Sequence, residues 1–188
     1  MEKSKTKKIA FYGVFSALIL VLFYFETLLS FALTITPPAI LSLPVIMTFC
    51  LMHDYKTGFM GGLIFGVSSF VIALSISNPV FLLPWVSILP RLFVGISAFG
   101  ACAVIKQLFK NRQNKFLKTI LPYSVGAFVG ILVNTALVIV CLSLFVEGGF
   151  AYWFELCITV NFPIELVVAV ILTPILTKFV DKVKGRIF

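Results

Sequence analysis

The stretch that decides the fold is residues 120–145, ILPYSVGAFVGILVNTALVIVCLSLF, in which no side chain is charged. A helix needs roughly 20 predominantly apolar residues to cross the hydrocarbon core of a bilayer. The composition of the whole chain agrees, because 61% of its 188 residues are hydrophobic and only 12% are charged. A soluble domain is about a quarter charged, and a small one still exposes much of its surface to water. We therefore predict an integral membrane protein.

Five further apolar segments accompany this stretch. The six predicted helices cover about residues 9–30, 39–52, 57–75, 86–105, 120–145 and 156–177. No separate soluble segment stands between them. The predicted fold class is an all-α bundle of six transmembrane helices that forms a single domain over residues 1–188.

Basic residues support this count through the positive-inside pattern. Six spans place the N-terminus, the second loop, the central loop and the C-terminus on one face, and these segments hold every Lys and Arg except Arg91. Cytoplasmic loops are enriched in such residues, so we expect both termini in the cytoplasm of a bacterium and the chain in its plasma membrane. Trp85, Tyr152 and Trp153 then fall at the opposite interface, where aromatic belts occur. The net charge of +8 thus indicates orientation in a membrane and not nucleic-acid binding.

Two ionisable residues fall inside predicted spans. Arg91 directly follows Pro90 in the outer half of the fourth span, and Glu165 lies two residues after Pro163 in the sixth. A charge in a span costs at least ~2.5 kcal/mol on insertion scales, which makes it a functional candidate. Three alternatives stay open for Arg91: it pairs with Glu165, it binds a carboxylate through a two-pronged contact, or it reaches the outer interface. Three other acidic residues, Glu26, Glu147 and Glu155, fall at outer helix ends, where we expect them to be solvated.

Polar and aromatic residues in the same outer half predict a cavity that opens to the outside. The aromatic loop from Phe81 to Trp85 would form its roof. The candidate substrate-binding residues are Arg91, Glu165, Asn134, Asn161, Asn78, Trp85, Ser87 and Ser68, with Ser69 beside the last.

Glycines recur at every fourth position on two predicted helices. The third carries Gly58, Gly62 and Gly66, and the fifth carries Gly126 and Gly130. Small residues at this spacing share one face and let helix backbones approach closely. We interpret them as internal packing, with a moving contact to another subunit as the alternative.

Catalytic and metal-binding patterns are missing from the sequence. There is no GxxxxGK[ST] phosphate loop, no HExxH and no GxSxG, and the four cysteines have no metal-binding spacing. We therefore expect neither an enzyme nor a bound metal or cofactor. The chain is also short for a self-sufficient secondary transporter, which usually contains two related halves.

Two stretches resemble a known family. Residues 8–17, KIAFYGVFSA, followed by five spans, resemble the first helix of the substrate-binding S-components of energy-coupling factor (ECF) vitamin transporters. Residues 78–95, NPVFLLPWVSILPRLFVG, look like the segment that enters the fourth helix in the pantothenate-specific type. The resemblance implies a six-helix bundle with a vitamin pocket near the outer surface. It also implies an ABC-type importer in which the S-component works with a transmembrane coupling subunit and two cytoplasmic ATPases.

The resemblance further implies how the complex assembles and what it carries. The family docks through small residues of its first helix, here Ala10, Gly13 and Ala17, and transport would follow as the S-component topples in the membrane. Pantothenate is the first substrate expected, because it is a carboxylate and Arg91 is the basic residue on the outer side. Riboflavin or another vitamin is the nearest alternative. From a different class, a noncatalytic scaffold such as the MreD-like proteins of cell-shape complexes predicts a closed Arg91–Glu165 pair without a cavity, and a membrane enzyme is more distant.

Overall fold

A computed structural model describes residues 2–33, 41–52, 54–77, 80–111 and 114–187. Within these ranges every regular element is helical. The helices are α1 (Glu2–Leu33), α2 (Ser42–Leu51), α3 (Tyr55–Ser75), α4 (Pro84–Ser87), α5 (Leu89–Leu108), α6 (Lys115–Thr119), α7 (Leu121–Phe145), α8 (Gly149–Leu156), a π-helical segment (Cys157–Asn161) and α9 (Phe162–Ile187).

Five helical segments are long and apolar enough to cross a membrane, and they identify a multi-pass membrane protein. They are Ile9–Leu29, Tyr55–Ser75, Pro84–Leu108, Leu121–Phe145 and Phe162–Lys182. The predicted second span, residues 39–52, contains the shorter helix α2, while residues 39 and 40 lie outside the described ranges. At 1.5 Å per residue, α2 covers about half of a hydrocarbon core of about 30 Å.

Helix α2 lies at the centre of the bundle. All of its residues except Val45 are buried, and it packs against α3, α5, α7 and α9. Its Ile46 and Met47 belong to one buried apolar cluster with Val94 of α5 and Ile131 of α7. Surrounding protein therefore replaces lipid around most of this short helix.

The glycine stripes face the interior, which confirms the interpretation of internal packing. A Cβ at Gly62 would collide with the carbonyl oxygen of Arg91 on α5. A Cβ at Gly130 would come within 3.0 Å of the sulfur of Met47. The stripe on α3 thus brings its backbone directly against α5, and the stripe on α7 admits α2 and α5.

Prolines mark the irregular points of two spans. Ile88 separates α4 from α5, and Pro90 occupies the first turn of α5. The π-helical segment ends at Asn161, just before Pro163. Proline lacks the N–H that an uninterrupted helix would need, so the preceding turn loses its regular pattern. Both irregular points border the cavity described next.

Candidate functional site

One cavity of about 350 Å³ opens between the helices. Its volume lies within the range of about 300–1,000 Å³ that small-molecule sites occupy. Much of its wall is apolar, with aromatic rings from Phe23, Phe65, Phe81, Trp153 and Phe162. Its polar side chains are Thr27, Ser69, Arg91, Asn134, Thr135 and Glu165. A mostly apolar wall with a few convergent polar groups is typical of a site for a small organic molecule.

The local backbone fixes the position of Arg91. In a regular helix the N–H of residue 90 would donate to the carbonyl oxygen of Val86, but Pro90 has no N–H. The Nη1 atom of Arg91 donates to that oxygen instead. The Val86–Pro90–Arg91 pattern therefore gives the guanidinium a partner inside its own chain segment.

Two aromatic rings flank the same guanidinium. Its Cζ atom lies 5.5 Å from the centre of the Phe65 ring and 5.2 Å from that of Phe81. A cation this close to a ring face is attracted by the quadrupole of the ring. Arg91 is only 6% exposed, so protein encloses its guanidinium almost completely.

Glu165 shares the cavity with Arg91. It is half-buried at the start of α9 and interacts electrostatically with Arg91. Among the described residues that line the cavity, Arg91 is the one basic side chain and Glu165 the one acidic side chain. The two ionisable residues that the sequence placed inside spans therefore face a single space, which has no net charge when both are ionised.

Three polar atoms in the wall have no hydrogen-bond partner among the described residues. They are Nε of Arg91, Oδ1 of Asn134 and Nε1 of Trp153, and all three are buried. A buried polar atom left unpaired costs about 1–3 kcal/mol. The side chains that carry these atoms line the cavity, while the three atoms themselves are buried within its wall.

The predicted site residues divide into three groups: those that line the cavity, those that do not, and those outside the described part of the chain. Arg91, Asn134 and Glu165 line the cavity, and on α3 it is Ser69 rather than Ser68 that does so. Ser87 is not part of the lining; its buried hydroxyl donates to the carbonyl oxygen of Phe81 and so holds the loop. Trp85 is not part of the lining either, since it is 60% exposed. Asn78 and the side chain of Asn161 lie outside the described part of the chain.

Trp153 is the main lining residue that sequence reasoning assigned elsewhere. The belt prediction placed it at the interface, but it is only 8% exposed and packs with Val138 and Leu142 of α7. The sequence contains one indication of this position, the adjacent glycines Gly148 and Gly149. Gly148 has φ +133°, and a Cβ there would lie 3.1 Å from Nε1 of Trp153. The Gly148-Gly149 pair thus marks a tight turn on which the indole rests.

Acidic residues outside the cavity show one further difference from expectation. Glu147 and Glu155 are exposed, as expected, whereas Glu26 is buried against the start of α2. The expectation of a solvated Glu26 is wrong because the carboxylate finds hydrogen-bond donors there.

The small residues of α1 point away from the bundle. Ala10, Gly13 and Ala17 are exposed, and a Cβ at Gly13 would meet no atom within 4 Å. The described part of the chain therefore leaves this face uncovered.

Comparison with known proteins gives one informative match. Aligned over 207 positions, the chain is 28% identical to the pantothenic acid transporter PanT of Lactococcus lactis subsp. cremoris (strain MG1363), and the alignment covers 95% of this chain and 97% of that protein. No protein-family model matches the chain, and no solved structure matches it. The relative is a transporter and not an enzyme. The chain is thus similar over nearly its whole length to a pantothenic acid transporter, in agreement with its resemblance to the pantothenate-type S-components.

Proposed function

We propose that this chain is the substrate-binding subunit of an ECF-type importer and that its cavity binds pantothenate. The observation that carries the proposal is the buried guanidinium of Arg91, which faces a mostly apolar cavity with its Nε atom unpaired. The similarity to PanT supports the choice of pantothenate among the vitamins.

The chemistry of pantothenate suits the three unpaired atoms. Its carboxylate accepts hydrogen bonds, and Nε of Arg91 and Nε1 of Trp153 are donors. Its hydroxyl groups and amide N–H are donors, and Oδ1 of Asn134 is an acceptor. Its geminal methyl groups suit the aromatic and aliphatic wall. The carboxylate, the hydrogen-bond donors and the methyl groups of the ligand thus have counterparts among the side chains of the cavity.

Arg91 contributes most to the proposed recognition. A hydrogen bond to a charged group contributes about 1.5–3 kcal/mol, roughly twice a neutral one. The Nη1 contact to Val86 and the flanking rings of Phe65 and Phe81 hold the guanidinium in advance. A preorganised group loses less side-chain freedom when the ligand binds, which favours affinity.

Glu165 limits the charge that the ligand can carry. Its carboxylate already offsets the single basic side chain of the described wall. A monoanion such as pantothenate adds one negative charge, whereas a phosphorylated derivative adds two or three beside Glu165. We therefore expect the site to prefer pantothenate over 4′-phosphopantothenate.

The remaining features of the proposal concern topology and partners. We place six crossings in the membrane, with α2 as the short second one, and both termini in the cytoplasm. The distribution of Lys and Arg supports this orientation. Ala10, Gly13 and Ala17 form an exposed face suited to a transmembrane coupling subunit, and two cytoplasmic ATPases would supply the energy.

Calorimetric titration of the purified protein tests the proposal. Pantothenate is the ligand, with riboflavin, biotin and 4′-phosphopantothenate as comparisons. We expect saturable one-to-one binding of pantothenate and at least tenfold weaker binding of the others. Tighter binding of riboflavin would show that the cavity is specific for riboflavin and not for pantothenate. No binding of any vitamin, together with copurification of cell-shape proteins in place of ATPases, would favour the scaffold.

A further inference from the structure

Glu26 connects α1 to the start of α2. Its Oε1 atom accepts hydrogen bonds from the backbone N–H groups of Leu41 and Ser42, the latter at 3.1 Å. Its Oε2 atom accepts from the hydroxyl of Ser42 at 2.5 Å. Glu26 is only 9% exposed, so these contacts are made inside the protein.

The start of α2 needs an acceptor from elsewhere in the chain. A helix leaves its first N–H groups without internal partners, and a polar side chain at the N-cap usually satisfies one of them. Here the N-cap residue is Leu41, which has no acceptor, and Pro44 in the first turn has no N–H. A carboxylate also interacts favourably with the positive end of the helix dipole. Glu26 therefore caps α2 from α1.

The same turn of α1 forms part of the cavity wall. Phe23 and Thr27 line the cavity, as does Leu43 in the first turn of α2. The Phe23 ring lies 6.0 Å from that of Phe65, which in turn flanks the guanidinium of Arg91. The contact between Glu26 and α2 thus fixes one side of the cavity. The Phe65 ring lies between this side and Arg91, the proposed binding residue for the anion.

Apolar packing holds this part of α1 only weakly. In the most apolar 18-residue stretch of Ile9–Leu29, 11% of the residues are buried, against 56% in that of Tyr55–Ser75. The buried side chains described on α1 are Ile19, Glu26 and Thr27. With so few buried apolar groups, a cluster of charge-assisted hydrogen bonds supplies a large part of the attachment.

We propose that Glu26 is a positioning residue that keeps the C-terminal half of α1 closed against the cavity, so that the ligand exchanges when the contacts of Glu26 with α2 break. The identity of the ligand rests on the function proposed above. The closure itself does not, because it depends only on contacts within the chain.

A native thiol reports on the closure without any ligand. Cys157 is half-buried and lines the cavity, whereas Cys50, Cys102 and Cys141 are buried. The rate at which N-ethylmaleimide modifies Cys157 can be followed in the full-length purified protein by mass spectrometry of its peptides. We expect Glu26→Ala to raise this rate by about tenfold or more, since several hydrogen bonds to a charged group are lost. Glu26→Gln keeps an acceptor oxygen and should give an intermediate rate, and it replaces Glu26→Ala if that variant does not fold.

A matched control and a second measurement complete the test. Glu147→Gln changes an exposed acidic residue and should leave the rate at the wild-type value. The dissociation rate of bound pantothenate should rise in parallel with the labelling of Cys157. Unchanged labelling in both Glu26 variants would overturn the proposal, as would faster labelling with unchanged dissociation. If the wild type binds no pantothenate while Glu26→Ala still speeds labelling, the proposed function fails and the positioning role of Glu26 stands.

Discussion

The Nη1 atom of Arg91 donates to the carbonyl oxygen of Val86, the oxygen that Pro90 leaves without its usual helical donor. Irregular backbone and a buried charge are therefore parts of the same arrangement. Each is costly in a membrane by itself, and together each satisfies the other. Nε of Arg91 is buried without a partner among the described residues, and the Arg91 side chain lines the cavity.

Replacing Pro90 tests that relationship. Pro90→Ala restores an N–H that competes with Arg91 for the oxygen of Val86. We expect pantothenate to bind about 3- to 10-fold more weakly, because the guanidinium is then less well held in advance, while thermal stability is kept. Pro122→Ala is the matched control, because Pro122 has the same position in the first turn of α7 and is not part of the cavity wall. Equal loss of affinity in both variants would contradict the assignment.

Asn134 should affect stability and binding in opposite directions. Asn134→Leu removes a buried acceptor that has no partner in the described structure. The ligand-free protein should then melt at a higher temperature, because an unpaired buried polar atom costs about 1–3 kcal/mol. Pantothenate should lose most of its stabilising effect. Thermal unfolding with and without pantothenate measures both quantities, and a ligand-induced shift equal to that of the wild type would remove Asn134 from the site.

The two tryptophans provide a paired test. Trp153→Phe keeps a large ring and removes the unpaired Nε1–H donor, so we expect about 3- to 10-fold weaker binding of pantothenate. Trp85→Phe makes the same chemical change at a residue that is 60% exposed and should leave affinity unchanged. Calorimetry on the two variants distinguishes them. A larger effect at Trp85 would contradict the structure, in which Trp153 and not Trp85 lines the cavity.

Alanine substitutions at two glycines distinguish the effect of close helix packing on stability from the effect of helix propensity. Gly62→Ala places a Cβ against the backbone of Arg91 and Leu92, which cannot move aside easily, so we expect a loss of about 1–3 kcal/mol in stability. Pantothenate affinity should also fall, because Arg91 shifts with its backbone. Gly100→Ala meets no atom within 4 Å and should stabilise the protein by about 0.5–1 kcal/mol. Denaturation in detergent compares the two; similar stabilities would contradict the packing described here.

Sequence reasoning predicted the features that follow from one-dimensional patterns. Long apolar runs indicated the membrane helices, because the bilayer sets a minimum length for them. The ionisable residues beside Pro90 and Pro163 indicated a shared polar region, and Arg91 and Glu165 do face one cavity. Glycines at spacing four indicated close helix packing, and Gly62 contacts the backbone of α5.

Features that depend on helix rotation and on distant contacts were not predictable in this way. Ser69 faces the cavity and Ser68 does not, since neighbouring residues on a helix point about 100° apart. Trp153 is buried against α7, although its position in the sequence suggested the interface, and Trp85 is 60% exposed, although it was a candidate site residue. Glu26 caps a helix that begins 16 residues later, and no local pattern indicates such a pairing.

The most direct test combines Arg91→Gln with panthenol, the analogue of pantothenate in which an alcohol replaces the carboxylate. Calorimetry then yields four affinities, for two proteins and two ligands. If Arg91 binds the carboxylate, the substitution should weaken pantothenate binding by about 10- to 100-fold and leave the weak binding of panthenol unchanged. Equal losses for both ligands, or no loss for either, would show that Arg91 does not hold the carboxylate.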